Sequence, residues 1–265
     1  MCNAWADTGT MKCEGRVALV TGAAGNGMGR SIALTLAREG ARVIVNYRTR
    51  AESAEDIVRY IASQGGAAVA VQADVFDSEG CRKLVEVAAE QFGQVDICVV
   101  GPGGGWHPEP PARLQADGAL EDLQHEVGPL YYLMPLVLPG MIERRWGRLV
   151  GLCLHPTRLP PAYAYAVAKA ARAQALLLAQ DQTWLYGVTV NVIAPGPVAA
   201  LDTLDEATAQ CEGGTAWHNR ANVSPQDIAE GVAFLCSEAG RFVTGCTLPY
   251  LFRIEPPVDV DQEAT

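Results

Sequence analysis

Lysine is scarce in this chain: Lys12, Lys83 and Lys169 stand against 17 arginines. No stripe of basic residues forms, and the formal net charge is −10. Such a field repels a phosphate backbone, which argues against nucleic acid as a partner. Long apolar runs are missing too. The most apolar stretch, residues 131–142, is twelve residues long and holds Pro135 and Pro139, too short for a bilayer; no membrane partner is expected. Residues 1–14 have neither an apolar core nor a basic start, so no signal peptide is expected. The eight cysteines contain no Cys-x-x-Cys pair and no histidine at zinc spacing. That usage predicts no metal site, reduced thiols and a cytoplasmic location. Between Glu39 and Glu52 there is no acidic residue, and residues 151–157 contain no serine. Both absences matter below.

What is present is a globular composition, 49% hydrophobic and 19% charged, with 27 glycines and 16 prolines spread along the chain. Short apolar runs at 16–21, 42–46, 67–72, 95–100, 148–153 and 189–193 read as buried strands. Segments of helical period lie between them at 28–39, 51–64, 78–92, a long stretch ending near 145, and 162–183. Strict βαβα alternation predicts an α/β fold: a single doubly wound parallel sheet with helices on both faces, Rossmann-like, binding ligands at the carboxyl ends of its strands. No linker divides the chain. Residues 1–14 are expected to be a loose extension, 15–254 one dinucleotide-binding domain with a substrate lid at about 198–223, and 255–265 an acidic tail.

The first strand runs into Thr21-Gly22-Ala23-Ala24-Gly25-Asn26-Gly27-Met28-Gly29-Arg30, which opens a helix. Glycines at such a turn let backbone N–H groups approach a pyrophosphate, and the helix N-terminus stabilises its charge. A glycine cluster alone also suits a flexible loop; its place between strand and helix favours a nucleotide. Gly22, Gly25, Asn26, Gly27, Met28 and Gly29 are therefore cofactor candidates. The second strand ends in Asn46-Tyr47-Arg48-Thr49-Arg50, where an NAD site usually carries an acid for the ribose hydroxyls. With that acid missing, Arg48 and Arg50 suit a 2′-phosphate, and Tyr47 and Thr49 flank it; NADP is favoured over NAD. Two solvated arginines remain the plainer alternative.

Tyr165 and Lys169 lie four apart in a segment of helical pattern, so both face one way. A nearby ammonium favours phenolate, which would lower the tyrosine pKa and make Tyr165 a usable acid or base.

Together these residues resemble the short-chain dehydrogenase/reductase family, from about residue 16 to 251. The matching elements are the glycine turn, Ala73-Asp74-Val75, Tyr165 with Lys169, Asn191…Pro195-Gly196, and Val243-Thr244-Gly245. The resemblance implies that Asp74 contacts the adenine, with Val75 beside it. It places Ile193, Pro195, Gly196 and Val198 near the nicotinamide. Tyr165 would exchange a proton with the substrate oxygen, while Lys169 holds the ribose hydroxyls and tunes the tyrosine.

The chain also departs from the family pattern. Asn26 lengthens the glycine turn by one residue. The Asn-Asn-Ala-Gly segment after the fourth strand reads Val100-Gly101-Pro102-Gly103; Gly101, Pro102 and Gly103 keep the backbone close to a cofactor. The catalytic serine position falls on Leu154. Of the nearby groups able to bond a substrate oxygen, Cys153, His155 and Thr157, His155 is the first candidate, with a plain loop residue as the alternative. The helical asparagine aligns with Glu126, as a proton relay or a solvated helix residue. Pro129 would leave the carbonyl of His125 unpaired and predicts a kink there. Trp106, His107, Trp217 and His218 fall where pockets and lids form, or pack on their own loops.

The expected function is an NADP(H)-dependent oxidoreductase acting on a small carbonyl or alcohol. The alternatives are a non-catalytic NADP-binding protein, or dehydration or isomerisation chemistry using Tyr165. Apolar residues in the long helix and the Tyr165 helix predict a homo-oligomer, and the family resemblance implies a dimer or tetramer through these two helices.

Overall fold

A computed structural model describes residues 12–101, 103–104, 107–154, 162–216 and 222–250. Strands β1 (Val17–Val20), β2 (Arg42–Tyr47), β3 (Ala68–Gln72), β4 (Ile97–Val100), β5 (Gly147–Leu152), β6 (Val188–Pro195) and β7 (Thr247–Tyr250) form one sheet in the order β3-β2-β1-β4-β5-β6-β7. Every neighbouring pair is parallel. The alternating sequence pattern anticipates this architecture because crossovers between parallel strands need a helix each.

Helices α1 (Met28–Arg38), α2 (Ala51–Ser63), α6 (Leu204–Gly213) and α7 (Pro225–Cys236) share one core, where Ile32, Leu36, Ile57, Ala207 and Ile228 meet Val43, Val45 and Ile193. On the opposite face, α3 (Ser78–Phe92), α4 (Ala116–Glu143) and α5 (Tyr163–Thr183) bury Leu84, Leu130, Leu133 and Leu176 against Leu19, Ile44, Leu149 and Val190. Strands covered on both faces read as continuous apolar runs, which is why β1, β4, β5 and β6 are legible.

Three elements escape the sequence reading. β7 carries Pro249 and is half-exposed at the sheet edge, where a missing N–H is tolerated. α6 falls in the stretch read only as a lid, and α7 in a stretch given no element of its own. Both start with capping boxes, Thr203 with Glu206 and Ser224 with Asp227, Pro225 following directly.

One expectation changes. Residues 12–14 are no loose extension: Cys13 is buried, its N–H donates to the Glu39 carbonyl, and Lys12 pairs with the Glu39 carboxylate. α4 runs without a break through Pro129, Pro135 and Pro139, so no helix break accompanies the expected kink.

Candidate active site

The strand order reverses at β1 and β4, whose carboxyl ends open the crevice where ligands bind in such sheets. Thr21 ties the two ends together. Its Oγ1 donates to the Val99 carbonyl at 3.2 Å and accepts the Gly101 N–H at 2.9 Å. Gly22 follows with φ +62, a conformation that favours glycine. The start of α1 packs so closely on this turn that a Cβ at Gly29 would stand 2.6 Å from the Gly22 carbonyl oxygen. Gly27 is the N-cap of α1 and offers no capping side chain, so the first-turn N–H groups suit an outside anion.

Buried Asn46 organises the turn. Its Oδ1 accepts the Gly22 N–H at 2.9 Å, and its Nδ2 donates to the Ala73 carbonyl at 3.0 Å. One side chain thereby locks the glycine turn to the ends of β2 and β3. Sequence reasoning passed over this role; an amide inside the apolar run RVIVN was the available signal.

A cleft of about 260 Å³ opens at these strand ends. Its walls include Gly22 and Gly25 from the turn, Tyr47, Arg48, Thr49 and Arg50 after β2, Asp74 and Val75 after β3, and Gly103 after β4. The structure therefore brings these nine of the sequence's dinucleotide candidates to one cleft. Arg48 lies 3.8 Å from Asp74 and stacks over Phe76, while Arg50 donates to Asn26 Oδ1 at 2.7 Å. Asn26, the extra residue of the turn, also accepts the Leu201 N–H through its carbonyl. Its insertion joins the turn to the segment after β6. Glycines without clash and an open helix end fit a dinucleotide, with a pair of arginines at the border. Pro102 lies outside the described residues.

Tyr165 and Lys169 are one turn apart on α5, with Lys169 Nζ 5.4 Å from the Tyr165 ring centre. The ammonium is turned to a different partner. Lys169 Nζ stands 3.0 Å from Glu126 Oε1, and Arg172 Nη1 stands 3.1 Å from Glu126 Oε2. All three side chains are buried. Arg172 also donates through Nε to the Glu126 carbonyl and through Nη1 to the carbonyls of Gly101 and Leu152, at 2.7, 3.0 and 3.0 Å. Glu126 is thus a buried ion-pair partner, not a solvated helix residue. The helix carbonyl held by an outside side chain is Glu126's, one residue beyond that of His125. Sequence reasoning missed Arg172, whose only signal was a charge one turn beyond Lys169 on an otherwise apolar, alanine-rich face.

These charges reverse one expectation. Burial and the Glu126 carboxylate push the Tyr165 phenol up to about 12, with Arg172 opposing them. The sequence suggested a lowered value, but the cation meant to lower it is neutralised by Glu126. Burial, then Arg172, lowers the Lys169 ammonium, and Glu126 opposes both. Cys153 is buried and pushed up to about 11 by desolvation, so it is a thiol. His155 and Thr157 lie outside the described residues.

Pro195 ends β6, and the Gly196 N–H donates to the Tyr250 carbonyl at 3.0 Å. Val198 forms an isolated bridge with Val223. Ile193 is fully buried in the core, away from the cleft walls. Within the expected lid, α6 packs on α1 and buries Ala207 and Cys211. His107 Nδ1 is 2.9 Å from Asp122 Oδ1, a fully buried carboxylate one turn before Glu126 on α4. Trp106, Trp217 and His218 lie outside the described residues. Among those described, no helix is long and apolar enough to cross a membrane, and no group of His, Cys, Asp and Glu is placed to hold a metal.

Comparison with known proteins agrees with this geometry. A family model described as enoyl-(acyl carrier protein) reductase matches residues 22–250. The short-chain dehydrogenase/reductase FrzI of Cladobotryum sp is 31% identical, over 87% of this chain and 92% of its own. The 3-oxoacyl-(acyl-carrier-protein) reductase FabG of Haemophilus influenzae is 31% identical, over 89% of this chain and 96% of its own. A solved structure of 7α-hydroxysteroid dehydrogenase, complexed with NADH and 7-oxo glycochenodeoxycholic acid, superposes with a TM-score of 0.78. It is 29% identical and covers 91% of this chain and 94% of its own.

Proposed function

Because this chain belongs to the short-chain dehydrogenase/reductase family, we propose that it is an NADP(H)-dependent reductase of a small carbonyl compound, with Tyr165 as the proton donor. The observation that carries this reading is the position of Gly103. It lines the dinucleotide cleft, and a Cβ there would fall on Glu126 Oε1, the atom that holds Lys169. Cleft and charged cluster therefore share a wall.

The bound cofactor supplies hydride. Gly22, Gly25 and the N-terminus of α1 hold its pyrophosphate, and Asp74 and Val75 border the adenine. Arg48 and Arg50 receive a 2′-phosphate, where an acid selective for NAD is absent. Pro195, Gly196 and Val198 back the nicotinamide. Tyr165 keeps its proton at neutral pH and gives it to the substrate oxygen. Lys169 and Glu126 fix the charge beside it. The serine position is Leu154, and a lost donor of this type costs about 10²–10³ in rate in other enzymes; His155 is the proposed replacement.

Apolar side chains on α4 and α5 remain exposed, Leu120 at 62%, Tyr131 at 63% and Leu178 at 60%. They support a homodimer or homotetramer through these helices.

The test follows NADPH oxidation with a panel of ketones, aldehydes and 3-oxoacyl thioesters, alongside nicotinamide fluorescence for binding. Turnover of any carbonyl supports the reading. Binding without turnover favours the non-catalytic alternative, and no binding of either dinucleotide removes both.

A further inference from the structure

A single buried carboxylate between two buried cations is an unusual charge arrangement for a site that works by proton donation. Glu126 is 1% exposed, Arg172 0% and Lys169 6%. Each oxygen of Glu126 faces its own cation, at 3.0 and 3.1 Å. The guanidinium is fixed independently by three carbonyls, from the ends of β4 and β5 and from α4. A planar fork held at that many points is a rigid reference for the carboxylate beside it. A second observation comes from the cofactor loop. Residue 103 is a glycine, and any side chain there would displace Glu126 Oε1. The chain thus carries four residues in register: a space at 103, a carboxylate in it, and two cations on its oxygens.

We infer that Arg172 is a positioning residue of this site: it holds the Glu126 carboxylate aimed at Lys169, so that the ammonium serves the carboxylate and not the phenol of Tyr165. This rests on the proposed reductase reading and adds a residue to it. Without Arg172, the carboxylate loses the fork that fixes its second oxygen. Glu126 then no longer fixes Lys169, and an ammonium that turns towards the phenol makes phenolate easier to form. Arg172 therefore acts through Glu126.

The experiment reads the phenol directly, without substrate or cofactor. The ultraviolet absorbance of tyrosinate is titrated in the wild-type protein, Glu126→Gln and Arg172→Lys. Tyr165→Phe is placed in each background to isolate residue 165 by difference. Glu126→Gln is expected to move the ionisation of Tyr165 to lower pH by about one unit, a tenfold change in phenolate fraction. Arg172→Lys keeps the charge and is expected to move it far less. An unchanged Tyr165 titration in Glu126→Gln overturns the inference.

Thermal melting supplies the coupling. Arg172→Met is expected to lower the melting temperature much more with Glu126 present than in the Glu126→Gln background. Equal losses in both backgrounds overturn the dependence on Glu126. If Arg172→Met alone fails to accumulate while the double variant does, the coupling is shown. If neither accumulates, the Glu126→Gln titration decides alone. Absence of NADPH turnover in the wild-type protein defeats the reductase reading, and these titrations remain readable in that case.

Discussion

Gly103 and Glu126 occupy complementary halves of one space: the Cβ that any other residue would carry at 103 falls on Glu126 Oε1. Gly103→Ala is therefore expected to destabilise the fold by about 1–3 kcal/mol through overpacking. Denaturant unfolding measures it. Shortening the acid with Glu126→Ala in the same chain is expected to recover part of the loss, because contacting residues couple. A fully stable Gly103→Ala protein would show that the loop yields freely.

A phenol raised to about 12 stays protonated across the working range. Since kcat/KM reports ionisations of the free enzyme, its value for carbonyl reduction is expected to stay level from neutrality to about pH 10, with no fall from Tyr165 ionising. Tyr165→Phe is expected to lower kcat/KM by about 10²–10⁴-fold with NADPH binding unchanged. A falling limb near neutrality that vanishes in Tyr165→Phe contradicts the high value.

Arg48 and Arg50 border the cleft with no acid from the same loop. Charge-assisted hydrogen bonds contribute about 1.5–3 kcal/mol, so Arg48→Ala with Arg50→Ala is expected to weaken NADPH at least tenfold. NADH binding should change little. Fluorescence titration with both dinucleotides checks the ratio, and equal losses for the two would refute the 2′-phosphate assignment.

Asn46→Ala leaves the Gly22 N–H and the Ala73 carbonyl without their partner. The expected loss is about 1–3 kcal/mol of stability, together with weakened dinucleotide binding. A change in stability with unaltered affinity would mean that the turn keeps its shape unaided.

His107 is raised above the ordinary histidine range by its hydrogen bond to Asp122. A raised folded-state value means that protonation stabilises the fold below the unfolded pKa. That contribution fades as pH rises through the folded value. Asp122→Asn is expected to flatten the neutral-range pH dependence of the melting temperature. An identical dependence in both proteins would remove His107 as its source.

The fold was largely legible because its strands are covered on both faces and read as unbroken apolar runs; among the described strands and α-helices, edge strand β7, with its proline, and the capped helices α6 and α7 were missed. The cleft was legible for a related reason. Glycine spacing and strand ends are local features, and the sheet delivers them to one crevice by topology alone. Arg172 and Asn46 were not legible as site residues. Their roles depend on carbonyls and amides contributed by elements between 20 and 71 residues away.

By itself the sequence determined the parallel α/β architecture, the glycine turn and the pairing of Tyr165 with Lys169 on one helical face, because these follow from periodicity and short spacing. Tertiary structure decided where the lysine's charge goes. Helical spacing brings Lys169 near the phenol, but burial brings Glu126 nearer still, and in a dry interior an ammonium pairs with the closest carboxylate.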